Sequence, residues 1–135
     1  LEKSFPGLIR IIDIAPELDG GVELIRKFSD KYVFSIAHSD ADYATAMKAF
    51  HDGATHVTHM FNGMSAFTHR EPGIFGAVCD SKNVSVELIG DGIHVHPAVI
   101  RMVFELLGED RIILISDSMR GTGMDYTHLE DRRLV

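Results

Sequence analysis

Five short apolar runs constrain this chain most: LIRIIDIA (residues 8–15), YVFSIAH (32–38), THVTHM (55–60), VSVELIG (84–90) and RIILISD (111–117). The first is rich in isoleucine and bounded by Gly7 and Pro16, and it reads as a buried strand. The stretches between the runs carry a helical period instead. Val22 with Ile25, and Leu24 with Phe28, give one amphipathic helix. Ser39 and Asp42 form an S-x-x-D capping pattern that opens a second helix reaching to about Phe50. A short third helix is expected near residues 74–79. Pro97 stands at the first position of a fourth, whose Ile100, Val103, Phe104 and Leu107 share one face, and Gly108 closes it. Strands alternating with helices run parallel, and unbroken apolar runs predict a sheet buried on both faces. A doubly wound sheet and a portion of a (β/α)₈ barrel both satisfy this pattern. A whole barrel takes about 250 residues, so these 135 residues amount to little more than half of one.

Composition narrows the function classes. With 45% hydrophobic and 24% charged residues the chain supports a packed core, not disorder. The net charge is −7, and no basic run exceeds Arg132 with Arg133, which argues against nucleic acid as a partner. No apolar stretch is long enough for a membrane span, and none reads as a signal peptide. The single Cys79 makes no internal disulfide, so a reducing cytoplasm is the expected compartment. The absence of Met at position 1 is read as a cut or incomplete chain.

The polar residues that punctuate the runs carry the chemistry. His38 closes the second run and His59 lies in the third. Asp91 follows the fourth, and Asp117 closes the fifth. All belong at C-terminal strand ends, where parallel α/β folds assemble their sites. Taken singly, each histidine reads as well as a hydrogen-bonded core residue, and Asp117 as a helix cap. Taken together they suit a divalent metal such as Zn²⁺ held by His38 and His59. Asp117 would then be general base toward water and general acid toward a leaving group. His56 is read as structural, because its spacing from His59 turns it to the other face of the strand. His51 is read as a helix-end residue, and Cys79 as core packing. In HREPG (69–73), Arg70 is either an anion binder, phosphate being the natural candidate, or one member of a surface pair with Glu71. In DGIHVHP (91–97), the imidazoles either reach substrate or, for His96, cap the helix that Pro97 starts.

In order and spacing, IAPE (14–17), AHSDAD (37–42), THMFNGM (58–64), HREPGIFGA (69–77), DGIHVHP and SDSMRGTGM (116–124) resemble the N-acetylglucosamine-6-phosphate deacetylases of the amidohydrolase superfamily. The resemblance implies an α/β fold. It would be a partial (β/α)₈ TIM barrel of the metal-dependent hydrolase type, about strands four to eight, spanning residues 1–124. A tail at 125–135 would start a small β element. It implies removal of the acetyl group from N-acetyl-D-glucosamine 6-phosphate, giving D-glucosamine 6-phosphate and acetate. By motif, His38 and His59 become metal ligands and Asp117 the catalytic acid/base. Asn62, Gly63 and Arg70 would hold the sugar phosphate. Asp91, Gly92, Ile93 and His94 would line the sugar pocket, with His94 near the acetamide carbonyl. The implied cofactor is a divalent metal, Zn²⁺ first, with Fe²⁺, Mn²⁺ or Co²⁺ as alternatives. The implied partners are a small sugar phosphate and a second copy of the full-length enzyme.

Two positions depart from the family pattern. Gly63 stands where the family carries Ala, and the family's acidic ligand in an HLEGP motif has no counterpart here. The 135 residues alone are therefore expected to be inactive. The competing expectations are a cyclic amidase of the same superfamily and a non-catalytic half-barrel.

Overall fold

The computed structural model describes residues 3, 4, 6–119, 122 and 123; the tail assigned to 125–135 lies outside them. Five strands, β1 (Ile11–Ile14), β2 (Val33–Ile36), β3 (Ala54–Val57), β4 (Ser85–Ile89) and β5 (Ile112–Ile115), alternate with four helices. These are α1 (Gly21–Phe28), α2 (Tyr43–His51), α3 (Gly73–Asp80) and α4 (Pro97–Leu107), with a 3₁₀ turn at Glu109–Arg111 before β5. Every strand pair is parallel, and the sheet order is β1-β2-β3-β4-β5. That order decides between the two architectures. A doubly wound sheet reverses direction at a switch point. Here each strand lies beside its predecessor, and right-handed crossovers then place the helices on one face. The fold is a five-strand portion of a (β/α)₈ barrel.

The helix-side face is the core. Phe34, Ile36, Val57, Val86 and Leu88 are fully buried in one cluster with Ile25, Ala46, Ala49, Val78 and Val103 of the helices. Burying each of the larger side chains is worth about 1.5–3 kcal/mol. The expectation of two buried faces is met only in part: the second face is polar, buried at Ser35 and His56 and open toward its edges. On the other face Asp13, Ser35, His56 and Ser85 stand in register from β1 to β4, and Ile11, Val33 and Ile113 are 51%, 40% and 46% exposed. The inner face of a barrel is covered by strands from across the barrel, and five adjacent strands bring none across.

Local chemistry corrects two boundaries. Ser39 does not cap α2; Asp42 does, its Oδ1 accepting from the Thr45 N–H at 2.7 Å. The third run yields a strand only over Ala54–Val57, because the backbone turns left-handed at His59. The other helix signals agree with the structure: α3 covers 74–79, Pro97 opens α4, and Gly108 closes it with φ 74°. Arg111 ties the far end of α3 to the sheet, donating to the carbonyls of Val84, Val78 and Ser81 at 2.7–2.9 Å. Cys79 packs against the core, and burial pushes its thiol pKa up.

Candidate active site

Four non-glycine residues have positive φ among the described residues, and three of them are the catalytic and metal candidates: His38 at 46°, His59 at 33° and Asp117 at 49°. Phe61 is the fourth, at 75°. A left-handed backbone costs such residues about 1–2 kcal/mol each. It persists where the surroundings over-determine it, commonly at functional sites. The ladder explains the placement. Ala37 N–H donates to Ile14 O, Thr58 N–H to Ile36 O and Met60 N–H to Glu87 O, so the sheet holds the chain up to the kink at His38 and on both sides of the kink at His59.

The two imidazoles meet edge to face, with centroids 4.6 Å apart and planes at 89°. Their Nε2 atoms are 3.0 Å apart. Two Zn–N bonds of about 2.0–2.1 Å at a tetrahedral angle would set the nitrogens roughly 3.3–3.4 Å apart, so the pair fits one divalent cation with little adjustment. His59 is 5% exposed and its Nδ1 is buried without a hydrogen-bond partner, while His38 is open to the rim. Gly63 comes against the back of His38: at φ +60°, a Cβ there would lie 2.8 Å from His38 Nδ1. No group of three or more metal-binding side chains forms among the described residues, so the structure assembles two donors of a site that usually takes three. Asp117 occupies the same rim beyond β5, two strands from β3, which is about 10 Å at the usual strand spacing.

The loops are tied by contacts that no motif announced. Glu17 accepts from Ser39 Oγ at 2.6 Å and from the Asp40 N–H at 2.7 Å. Ser39 Oγ in turn accepts from the Ala41 N–H at 3.1 Å, and Ser65 Oγ donates to Asp40 Oδ1 at 3.0 Å. Ser39 also bridges to Met64. Below the rim, Thr58 Oγ1 donates to Asp13 Oδ1 at 2.9 Å and lies 2.6 Å from Ser35 Oγ. His56 Nε2 pairs with Glu87 Oε1 at 3.2 Å, in agreement with its structural reading.

The substrate candidates are dispersed. The Asn62 side chain donates to the carbonyls of His59 and Met60 at 3.3 and 3.2 Å, closing its own turn, so its NH₂ is committed. Asp91 accepts from the N–H groups of Ile93 and His94 and from His94 Nδ1 at 2.8, 2.9 and 2.7 Å. These hydrogen bonds hold its carboxyl down at about 2. Gly92 supplies the left-handed turn inside that unit, at φ 74°. Ile93 is 87% exposed. His94 faces an apolar hollow of about 310 Å³ with Phe61, Phe67 and Met102. His96 is the N-cap of α4, its Nδ1 accepting from the Ala98 N–H at 3.1 Å. Arg70 lies in a separate hollow of about 460 Å³, lined also by Asp42, Glu71 and Asp80. That hollow shares no residue with the histidine pair, so the structure does not gather Arg70 and the histidines into one cavity.

Against known proteins, the chain is 45% identical over 124 residues to N-acetylglucosamine-6-phosphate deacetylase of Bacillus subtilis (strain 168), covering 91% of this chain and 31% of that protein. Its homologues are amino-sugar phosphate deacetylases. N-acetylgalactosamine-6-phosphate deacetylase of Shewanella sp. (strain ANA-3) is 38% identical over 122 residues, covering 90% of this chain and 31% of the relative. The crystal structure of N-acetyl-D-glucosamine-6-phosphate deacetylase from Mycobacterium smegmatis superposes with a TM-score of 0.87 at 38% identity, over 93% of this chain and 36% of that one. A mutant of the Mycobacterium smegmatis enzyme, solved in complex with N-acetyl-D-glucosamine-6-phosphate, gives the same TM-score of 0.87 over 92% of this chain and 33% of that one. The chain thus spans about a third of the length of the deacetylases it matches. No protein-family model matches it. No helix of the described residues is long and apolar enough to cross a membrane.

Proposed function

We propose that this chain supplies the metal-binding histidines and the proton-transfer group of a deacetylase acting on N-acetyl-D-glucosamine 6-phosphate, yielding D-glucosamine 6-phosphate and acetate. The observation that carries the reading is the pair of facing Nε2 atoms, 3.0 Å apart at the strand ends, on a backbone that matches such an enzyme with a TM-score of 0.87. His38 and His59 would hold the divalent cation, Zn²⁺ or a first-row relative, and the third, acidic donor would come from outside the described residues. When bound, that cation would supply Lewis acidity to the acetamide carbonyl and acidify a water.

Asp117 takes the proton from the attacking water and returns it to the amine as the C–N bond breaks. Its kinked backbone would hold the carboxylate at the rim, between the water that gives up the proton and the amine that takes it. Asp91 fixes His94 through Nδ1, which would leave Nε2 for the substrate, with Gly92 and Ile93 of the same loop beside the sugar. Arg70 supplies charge for the 6-phosphate and Gly63 its backbone N–H, while Asn62, whose own N–H groups close the turn onto His59 and Met60, shapes the loop that presents them. We place the chain as strands four to eight of the barrel, in a cytoplasmic enzyme that works as a homodimer.

The test is acetate release from N-acetylglucosamine 6-phosphate with Zn²⁺. The 135 residues are assayed alone, then with the amino-terminal portion of the Bacillus subtilis relative added as a separate chain. Activity only in the mixture is expected. The galacto-configured substrate, run in parallel, sets the sugar preference, because relatives of both kinds match this chain at similar length. A mixture that folds, binds Zn²⁺ and releases no acetate from either sugar would overturn the proposal.

A further inference from the structure

We propose that Glu17 is a positioning residue for His38, acting as a clamp that joins three rim loops; this rests on the reading of His38 and His59 as one cation site. His38 carries a left-handed backbone, φ 46°, with no glycine freedom to support it. Something must hold the residues that follow it. The structure shows one carboxylate doing so from another βα loop: Glu17 takes the hydroxyl of Ser39 with one oxygen and the N–H of Asp40 with the other, at 2.6 and 2.7 Å. These are the first and second residues after His38. Both bonds are short because the acceptor is charged. Ser39 is 1% exposed, so its hydroxyl has no water to fall back on.

The clamp extends further. Ser39 bridges to Met64, and Asp40 accepts from Ser65 Oγ at 3.0 Å. Gly63, next along that loop, packs against the back of the His38 ring. Glu17 therefore sets the His38 backbone from below, while the 63–65 loop braces its imidazole from behind. Glu17 forms no group of three with His38 and His59, and its oxygens are turned to Ser39 and Asp40 instead. It belongs to the outer layer that orients a ligand, where losing one partner commonly weakens metal binding about 10–100-fold.

The experiment uses the whole chain, metal-free and isotope-labelled. Cross-peaks between the His38 and His59 rings report the 3.0 Å approach directly. We expect them in the unaltered chain, weakened in Glu17→Gln, which keeps one acceptor, and absent in Glu17→Ala. Methyl shifts of Val57 and Leu88 should stay unchanged in both. Zn²⁺ affinity, measured against a competing chelator, should fall about 10–100-fold in Glu17→Ala. Unchanged cross-peaks in Glu17→Ala overturn the clamp, whatever the Zn²⁺ result. If the unaltered chain shows the cross-peaks but takes no Zn²⁺ even with the amino-terminal portion of the Bacillus subtilis relative added, the deacetylase reading fails and the clamp is still judged by the rings. If the unaltered chain shows no ring contact, both fall. Should Glu17→Ala fail to fold, exchange of the Asp40 amide in the unaltered chain decides. Protection supports the clamp, and exchange at the free-peptide rate overturns it.

Discussion

Thr58→Val should destabilise the chain by about 1–3 kcal/mol, and a second substitution should recover part of that loss. Valine matches threonine in shape, so the change deletes a hydroxyl and little else. That hydroxyl serves two neighbours on the inner face of the sheet: it donates to Asp13 Oδ1 and accepts from Ser35 Oγ. The neighbours respond differently. Asp13 is exposed and rehydrates at little cost. Ser35 is 0% exposed, and its O–H is left buried with no acceptor. An unsatisfied buried polar group costs about 1–3 kcal/mol, and the Ser35 hydroxyl bears nearly all of it. Replacing Ser35 by Ala removes the stranded group. The double variant Ser35→Ala with Thr58→Val should therefore be more stable than Thr58→Val alone, although it has one fewer polar group. Urea unfolding followed by far-ultraviolet circular dichroism measures both differences as shifts in midpoint at constant slope. A Thr58→Val variant within about 0.5 kcal/mol of the parent, an ordinary surface effect, would refute the reasoning. So would a double variant less stable than the single one.

Three further outcomes bear on the site. In the complemented enzyme Asp117→Asn should lower kcat by about 10²–10⁴-fold with the metal retained; near-normal kcat would remove Asp117 from proton transfer. Arg70→Ala should cost about 1.5–3 kcal/mol toward the phosphorylated sugar, roughly 10–100-fold in kcat/KM, and spare the unphosphorylated one; an equal loss on both would mean that Arg70 does not read the phosphate. Asp91, depressed to about 2 by its hydrogen bonds, adds stability that is complete above its unfolded value of 3.8 and disappears as pH falls through about 2. The stability gap between the parent and Asp91→Asn should thus be constant at neutral pH and close between about pH 4 and 2; a gap independent of pH would contradict the Asp91–His94 pairing.

What the sequence made legible follows from how locally each feature is encoded. The strands and helices were readable because apolar runs, Pro97 and Gly108 act within a turn or two of themselves. The rim positions of His38, His59 and Asp117 were readable because a run that stops marks a strand end. The polar inner face was not. Asp13, Ser35, His56 and Glu87 sit inside runs that look uniformly apolar, and only the register of four strands shows that they share a face. The mistaken cap has the same origin. Ser39 and Asp42 both suit an N-cap by type, and the choice is made by Glu17, which lies 22 residues from Ser39 and engages its hydroxyl. Arg70 illustrates a third limit: its motif does not say which hollow its loop opens onto, and the structure places it apart from the histidine pair.

The unbroken strand order also governs how the chain can assemble. Among the described residues each strand pairs with its predecessor and successor in the sequence, so each of these pairings closes a loop of one βα unit. Successive strands begin 21 to 31 residues apart. At a synthesis rate of about 5–20 residues per second, each new unit takes roughly 1–6 s to emerge. Local closure of such loops is faster by orders of magnitude. These five strands can therefore be added one at a time, in step with translation, to an advancing edge.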